Sequence, residues 1–408
     1  MLSLHIAPPL RNAMNLIDRI VQFHHEIRDI RRDIHAHPEL RFQETRTADL
    51  IADRLQAWGI PIVRGLGGTG VVGTLRNGNS SRSIGLRADI DALPMQEHNE
   101  FAHRSRHSGR MHACGHDGHT AMLLGAARYL SQHRDFDGTV HLIFQPAEEG
   151  GAGAQRMIDD GLFVKCPCDA VFGMHNWPGM RLGQFALREG PVMAGSNEFT
   201  ITVSGKGGHA ALPHLTTDPV LVATHVVQAL QSIMTRNKKP IDTAVLSVTQ
   251  IHTGEAYNVV PETATICGTV RTFTTDTLDL IESRMKTIAE QLPVAFGAAG
   301  TLRFHRNYPP TINHGPQTAF ARDVLHEIVG PDNVFDFEPT MGSEDFAYML
   351  QAKPGCYILI GNGDGTHRAT GHGLGPCMLH NASYDFNDDL IPLGATYWVR
   401  LAERFLAA

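Results

Sequence analysis

The chain has 408 residues, 42% hydrophobic and 19% charged, a balance that marks a globular protein and excludes a disordered one. At this length a single core is stretched, so two domains are expected. The formal net charge of −7 excludes a general affinity for nucleic acid or anionic membrane, since both need a basic face.

No stretch reaches the apolar length that spans a bilayer. Residues 1–10 lack the charged start and apolar run of a signal peptide, so they read as a frayed extension and a cytoplasmic location is expected. Ile17, Ile20, Ile27, Ile30 and Ile34 recur at helical spacing and predict a helix over 16–36. A second helix is predicted over 45–58, ended at Gly59. Strands are predicted over 71–76 and 83–88, joined by a hairpin-type turn at Asn77-Gly78. Asp117 is placed as the cap of an apolar helix running to Leu130. Further strands are expected over 139–144 and 170–174. Candidate polar residues then follow each strand: Asp89 and Asp91, Glu148 and Glu149, His175. Sites in open α/β sheets form outside the carboxyl ends of the strands, where these residues fall.

A different texture starts near Val192. Strands over 197–205, 244–252, 264–273 and 302–305, with helices over 218–234 and 278–296, give the order β-α-β-β-α-β of a ferredoxin-like unit. It is read as a domain of residues 192–307 inserted into a discontinuous α/β domain of residues 1–191 and 308–408. Helices over 317–329, 344–351 and 387–405 and a strand over 356–361 complete the latter. The fold class is therefore α/β, a mostly parallel sheet with helices on both faces, plus an inserted α+β unit.

The six cysteines, 114, 166, 168, 267, 356 and 377, show no disulfide framework and are expected as free thiols. Cys166-Pro-Cys168 is too tightly spaced for a redox or zinc pair and reads as a surface loop. In contrast, His112-Ala-Cys114-Gly-His116-Asp-Gly-His119 places four soft or borderline metal ligands in eight residues. Cys114 and His116, one residue apart, can face one ion from an extended loop; His112 and His119 remain alternatives. Glu148 and Glu149 end an apolar strand. Two carboxylates at one buried site repel, so a cation on one leaves the other as a general base. His175 and His380, each beside an asparagine, gain weight from this company. His209, in a glycine-rich strand end, and Asn258 and Arg271 are individually uninformative.

Together these segments resemble the M20 metallopeptidase family, in its aminoacylase, hippurate hydrolase and auxin-conjugate hydrolase branch. The matching motifs include Arg32-Asp-Ile-His-Ala-His-Pro-Glu-Leu40, Leu86-Arg-Ala-Asp-Ile-Asp91, His112–His119, Gln145-Pro-Ala-Glu-Glu-Gly150, Met174-His-Asn-Trp-Pro178, Gly205–His214, Asn258-Val-Val-Pro-Glu262, Gly268-Thr-Val-Arg-Thr-Phe273, Met341-Gly-Ser-Glu-Asp-Phe346 and Leu379-His-Asn381. The resemblance implies a metal-dependent amidohydrolase acting on N-acyl-L-amino acids, with a metallo-carboxypeptidase or dipeptidase as the alternative. It implies two divalent ions, zinc or manganese, with cobalt or nickel as further options, held by Cys114, His116, Glu149, His175 and His380. Glu148 would be the base and Asp91, with Asp89, an orienter of ligands. The inserted domain would pair subunits into a homodimer or dimer of dimers and lend His209 to the partner's site as an oxyanion donor, with Asn258 and Arg271 lining the substrate. The segment after His380 and the glycine-rich stretch 361–378 depart from the family pattern.

Overall fold

A computed structural model describes residues 14–407; the reading of residues 1–10 as a frayed extension lies outside the described residues. The chain divides into two compact units, one of residues 1–192, 312–338 and 345–408, the other of residues 193–311 and 339–344. The expected insertion of residues 192–307 is thus shifted and enlarged. Its closing strand runs on to Tyr308, and 339–344 returns to it because the Ala194 amide donates to the carbonyls of Thr340 and Gly342.

In the first unit, α1 (His24–Ala36) buries Ile27, Ile30 and Ile34, one stripe at helical spacing. The predicted helix over 16–36 is broken at Phe23, where ψ turns to 11°. Next come α2 (Thr45–Ala57), β1 (Ile62–Leu66), β2 (Gly70–Asn77), β3 (Ser83–Asp89), α3 (His116–Gln132), β4 (Gly138–Gln145) and β5 (Ala170–Pro178). The sheet order is β1-β2-β4-β3-β5, followed by Gly355–Gly363, Phe185–Ala186 and Val334–Phe335. The strands β4, β3, β5 and Gly355–Gly363 are mutually parallel. Both β3 and β4 are buried along their whole length, as parallel strands covered on both faces must be. The turn at Asn77-Gly78 does not make a hairpin, because β4 inserts between β2 and β3 and pairs with both. α3, buried for most of its length, packs against the closing helix Leu390–Phe405.

Register decides where chemistry can gather. Asp89 lies beside Gln145, and Arg87 lies beside Gly173. Asp91 and the pair Glu148 and Glu149 therefore emerge at one end of the strands, while His175, expected to follow its strand, lies within the longer β5 beside Leu359.

The second unit has a four-stranded antiparallel sheet in the order Ala244–His252, Thr263–Thr272, Gly195–Ser204, Ala299–Tyr308. Helices Pro219–Ser232 and Thr275–Gln291 build one core with it, through Val222, Val226, Ile281 and Met285 against Phe199, Ile201 and Ile266. Asp218 caps the first helix, its carboxylate accepting from the Val220 amide. Among the described residues no helix is long and apolar enough to cross a membrane.

Asp117 is not a helix cap. The N-cap of α3 is Gly115, and Asp117 is spent on a buried charge network instead. Its Oδ2 lies 2.8 Å from Arg31 Nε and 2.8 Å from His35 Nδ1. Arg31 Nη2 reaches Asp385 Oδ1 at 2.6 Å, and His103 Nε2 lies 3.2 Å from the same carboxylate. The network ties α1, the start of α3 and the segment after His380. Burial alone would raise Asp117 and Asp385, but Arg31 and the histidines overcome it and hold both carboxyls well below the ordinary range. Burial and the Arg31 charge would lower His35, but Asp117 and Glu97 raise it to about 9.

The carboxylates' contribution to stability is present above their unfolded pKa and is lost as pH falls; that of His35 is present below 6.5 and is lost as pH rises through about 9. Asp385→Asn is expected to cost about 3 kcal/mol, the low end for breaking a buried pair, because Arg31 keeps Asp117. It should also flatten the acid-side decline in urea-unfolding free energy across a pH series. An acid limb identical to the wild type would rule out this role.

Candidate metal centre

Asp91 organises the sheet edge. Its Oδ1 accepts from the Glu148 amide and its Oδ2 from the Glu149 amide, both at 3.0 Å. Its backbone carbonyl accepts from His116 Nδ1 at 2.9 Å. A carbonyl can only accept, so Nδ1 of His116 carries a proton and Nε2 is the nitrogen turned toward the other donors, 3.7 Å from Asp89 Oδ2. That Nε2 is buried and has no hydrogen-bond partner. His175 has the same arrangement: Nδ1 donates to the Asn176 carbonyl at 2.6 Å, and Nε2 lies 3.3 Å from Cys114 Sγ. Burial, with His119 adding to it, holds His175 well below its usual pKa and so neutral.

Donor atoms of Cys114, His116 and His175 lie within 4.8 Å of one another, and so do those of Cys114, Glu149 and His380. Cys114 belongs to both groups. His116, Glu148 and Glu149 form a third group of the same size. Glu149 Oε1 is 3.2 Å from His380 Nε2, an ion pair between two of the candidate ligands. Burial raises the Cys114 thiol, while hydrogen bonds to Cys114 and Glu149 raise His380 to about 10. These groups hold protons that a divalent cation displaces when it binds. One thiol, three imidazoles and carboxylates fit a pair of divalent ions.

His119, left open by spacing, is committed elsewhere. Its Nδ1 donates to Asp89 Oδ1 at 2.6 Å and its Nε2 accepts from the Asn176 amide at 3.0 Å. Asp89 thus holds His119, also faces His116 Nε2 at 3.7 Å, and is itself held by Arg87 at 2.8 Å. His112 is fully buried and in none of the donor groups among the described residues. Cys166 and Cys168 are buried rather than on a surface loop, at 1% and 2% exposure, because β5 follows directly and packs into the sheet core.

The turn bearing the two glutamates is bent by Ala147 and Ala152, both left-handed at φ 55° and 53°. Such residues cost of order 1 kcal/mol each and persist only when the surroundings over-determine them. Here Glu44 Oε1 accepts from the Ala147 amide, and Asp345 Oδ2 accepts from the Ala154 amide, both at 2.9 Å. Asp345 also takes Gln145 Nε2 at 2.8 Å and Arg87 Nη2 at 3.1 Å. Burial pushes Glu44 up to about 7. Neither anchor was singled out by sequence reasoning. Asp345 lies inside a matched motif, which was its one signal; Glu44 had none. The glycine-rich stretch is tied to the segment after His380, as Arg368 Nη1 donates to the carbonyls of Gly375 and Ser383 at 3.0 and 2.8 Å.

The remaining expected residues lie in the second unit. His209 is exposed on the short strand Gly208–His209, paired with Val259–Val260. The Ala210 amide donates to the Asn258 carbonyl at 3.0 Å, so His209 and Asn258 adjoin. Arg271 is half-buried and donates to Thr269 Oγ1 and the Val270 carbonyl.

The sequence model of peptidase family M20/M25/M40 matches residues 85–404. This chain belongs to that family. It is 41% identical over 394 residues to the hippurate hydrolase of Campylobacter jejuni, covering 96% of this chain and all of that one. It is 41% identical over 339 residues to the N-acetyl-L-cysteine deacetylase of Bacillus subtilis, covering 83% and 80%. A dinuclear metal-binding M20 peptidase of Bacillus subtilis superposes with a TM-score of 0.81 at 32% identity, covering 95% of this chain and 99% of that one.

A methyl group at Gly153 would meet the Pro146 carbonyl oxygen at 1.8 Å, a backbone contact that no rotamer relieves. Gly153→Ala is expected to cost about 1–3 kcal/mol and to move the Glu148–Glu149 turn, read as a lower thermal midpoint together with reduced metal uptake. Wild-type values of both would show that the turn has slack.

Proposed function

We propose that this M20 chain is a metal-dependent amidohydrolase that cleaves the amide bond of N-acyl-L-amino acids to a carboxylic acid and a free amino acid. The observation that carries this reading is the one thiol, Cys114, common to two donor groups, with the buried carboxylate of Glu148 in a third group beside them. The hydrolase and deacetylase relatives at 41% identity support the substrate class.

In this reading His116 and His175 would hold one ion and Glu149 and His380 the other, with Cys114 available to each; zinc and manganese would suit the donors best, with cobalt or nickel as substitutes. Two such ions supply Lewis acidity, which polarises a carbonyl and makes water a nucleophile at neutral pH. Glu148 takes the proton of the attacking water and delivers it to the departing amine nitrogen. Asp91 holds Glu148 in place through its amide and fixes the His116 tautomer. His209 donates to the developing oxyanion from a second copy of the chain, and Asn258 and Arg271 line the substrate. Sharing His209 requires a homodimer, alone or within a dimer of dimers. Free thiols throughout the described residues fit a reducing, cytoplasmic setting.

Glu148→Gln is expected to keep both ions by elemental analysis and to lose about 10²–10⁴-fold in turnover, whereas Cys114→Ala should lose metal. A Glu148→Gln enzyme with normal turnover would remove the base assignment. Mixing Glu148→Gln with His209→Ala should restore part of the activity if the histidine serves the neighbouring subunit; no recovery after proven subunit exchange would remove the sharing. A dipeptidase or carboxypeptidase reading is favoured by the similarity to a chain described as a peptidase. Relative kcat/KM for hippurate, an N-acetyl amino acid and a dipeptide decides between them: preference for the first two supports the amidohydrolase.

A further inference from the structure

Asn176 is fully buried and every one of its polar groups is used. Its carbonyl fixes the His175 tautomer at 2.6 Å. Its amide N–H donates to His119 Nε2 at 3.0 Å, and its Nδ2 donates to the Cys114 carbonyl at 2.7 Å. Its Oδ1 accepts from Tyr384 Oη at 2.6 Å. Tyr384, also fully buried, stands four residues after His380. One side chain therefore joins three separate segments, each carrying a candidate ligand.

The junction is tight where it matters. Gly115, between Cys114 and His116, is left-handed at φ 94°. A methyl group there would lie 2.2 Å from Asn176 Nδ2 and 2.6 Å from Tyr384 Oη. The peptide that turns Cys114 and His116 toward one place thus rests on the Asn176–Tyr384 pair. The direction of the amide is also determined. Tyr384 can satisfy Oδ1 as a donor, and the Cys114 carbonyl requires a donor, so Nδ2 must face it.

We propose that Asn176 and Tyr384 form a positioning clamp that sets the Cys114 thiolate where both donor groups can use it. Loading of two ions then depends on a residue pair that is in none of the donor groups. This inference rests on the metal-centre reading above. Its force comes from geometry: a ligand shared by two ions must be placed more narrowly than a ligand of one, and the clamp removes the freedom of the Cys114–Gly115 peptide.

The test uses Co²⁺ as the probe, since a cobalt–thiolate bond gives an absorption band that reports the Cys114 contact directly. Asn176→Asp keeps the shape of the side chain but turns an acceptor toward the Cys114 carbonyl. Tyr384→Phe removes one hydroxyl. Each is expected to weaken Co²⁺ affinity 10–100-fold, the usual effect of losing a partner that orients a ligand, and to shift or diminish the thiolate band. The double variant should lose no more than Asn176→Asp alone, because both cut the same chain of hydrogen bonds. Thermal unfolding of the metal-stripped proteins separates this from a general loss of structure: Tyr384→Phe should unfold near the wild-type temperature while its band is altered. Wild-type affinity and band in both single variants would overturn the clamp. A wild-type protein that takes up Co²⁺ with no thiolate band would overturn Cys114 as a ligand, and the clamp with it.

Discussion

Burying many polar donors at one sheet edge is the constraint on which the first unit depends. A buried charge without a partner costs several kcal/mol, so each group needs an assigned counterpart. The counterparts form two layers. Asp91, Asp89, His119 and Asn176 satisfy the groups that flank the donors. Behind them, Arg31 with Asp117 and Asp385, and Arg87 with Asp89 and Asp345, neutralise charge in the core. His116 Nε2 is left without a hydrogen bond after this assignment, and it lies in the donor groups.

The division of labour between regular structure and loops follows from the same constraint. The parallel strands β3, β4 and β5 are apolar and buried, and they deliver their following residues to one edge by register. Most of the donors themselves sit in turns, where backbone can take the conformations a site needs. Ala147 and Ala152 hold left-handed dihedrals only because Glu44, Asp91 and Asp345 tie the amides of that turn. Strain of about 1 kcal/mol per residue is small beside the cost of leaving those carboxylates without donors.

The second unit contributes differently. Its sheet and two helices close a core of their own, and among the described residues it holds no member of the two donor groups that share Cys114. His209 and Asn258 adjoin on its short two-stranded piece, exposed and held chiefly by backbone pairing.

Much of this was legible in the sequence. Ligand chemistry within His112–His119, the carboxylate pair and the strand-end placement pointed to a metal centre, because metal-binding side chains at short spacing carry their meaning locally; the full candidate ligand set came with the resemblance to the family. The periodicity of α1 and the β-α-β-β-α-β order were readable for the same reason. Other features were not. Asn77-Gly78 has the composition of a hairpin, yet β4 pairs between the two strands, a choice made by long-range register. Asp117 has the composition of a cap, yet Arg31, far away in sequence, claims it. His119 could not be separated from His116 by spacing; only the positions of Asp89 and Asn176 assign its two nitrogens. Chemical identity is a property of the residue and can be read along the chain. Partnership is a property of space, and the burial of each group made its partner, and hence its role, a matter for the folded structure alone.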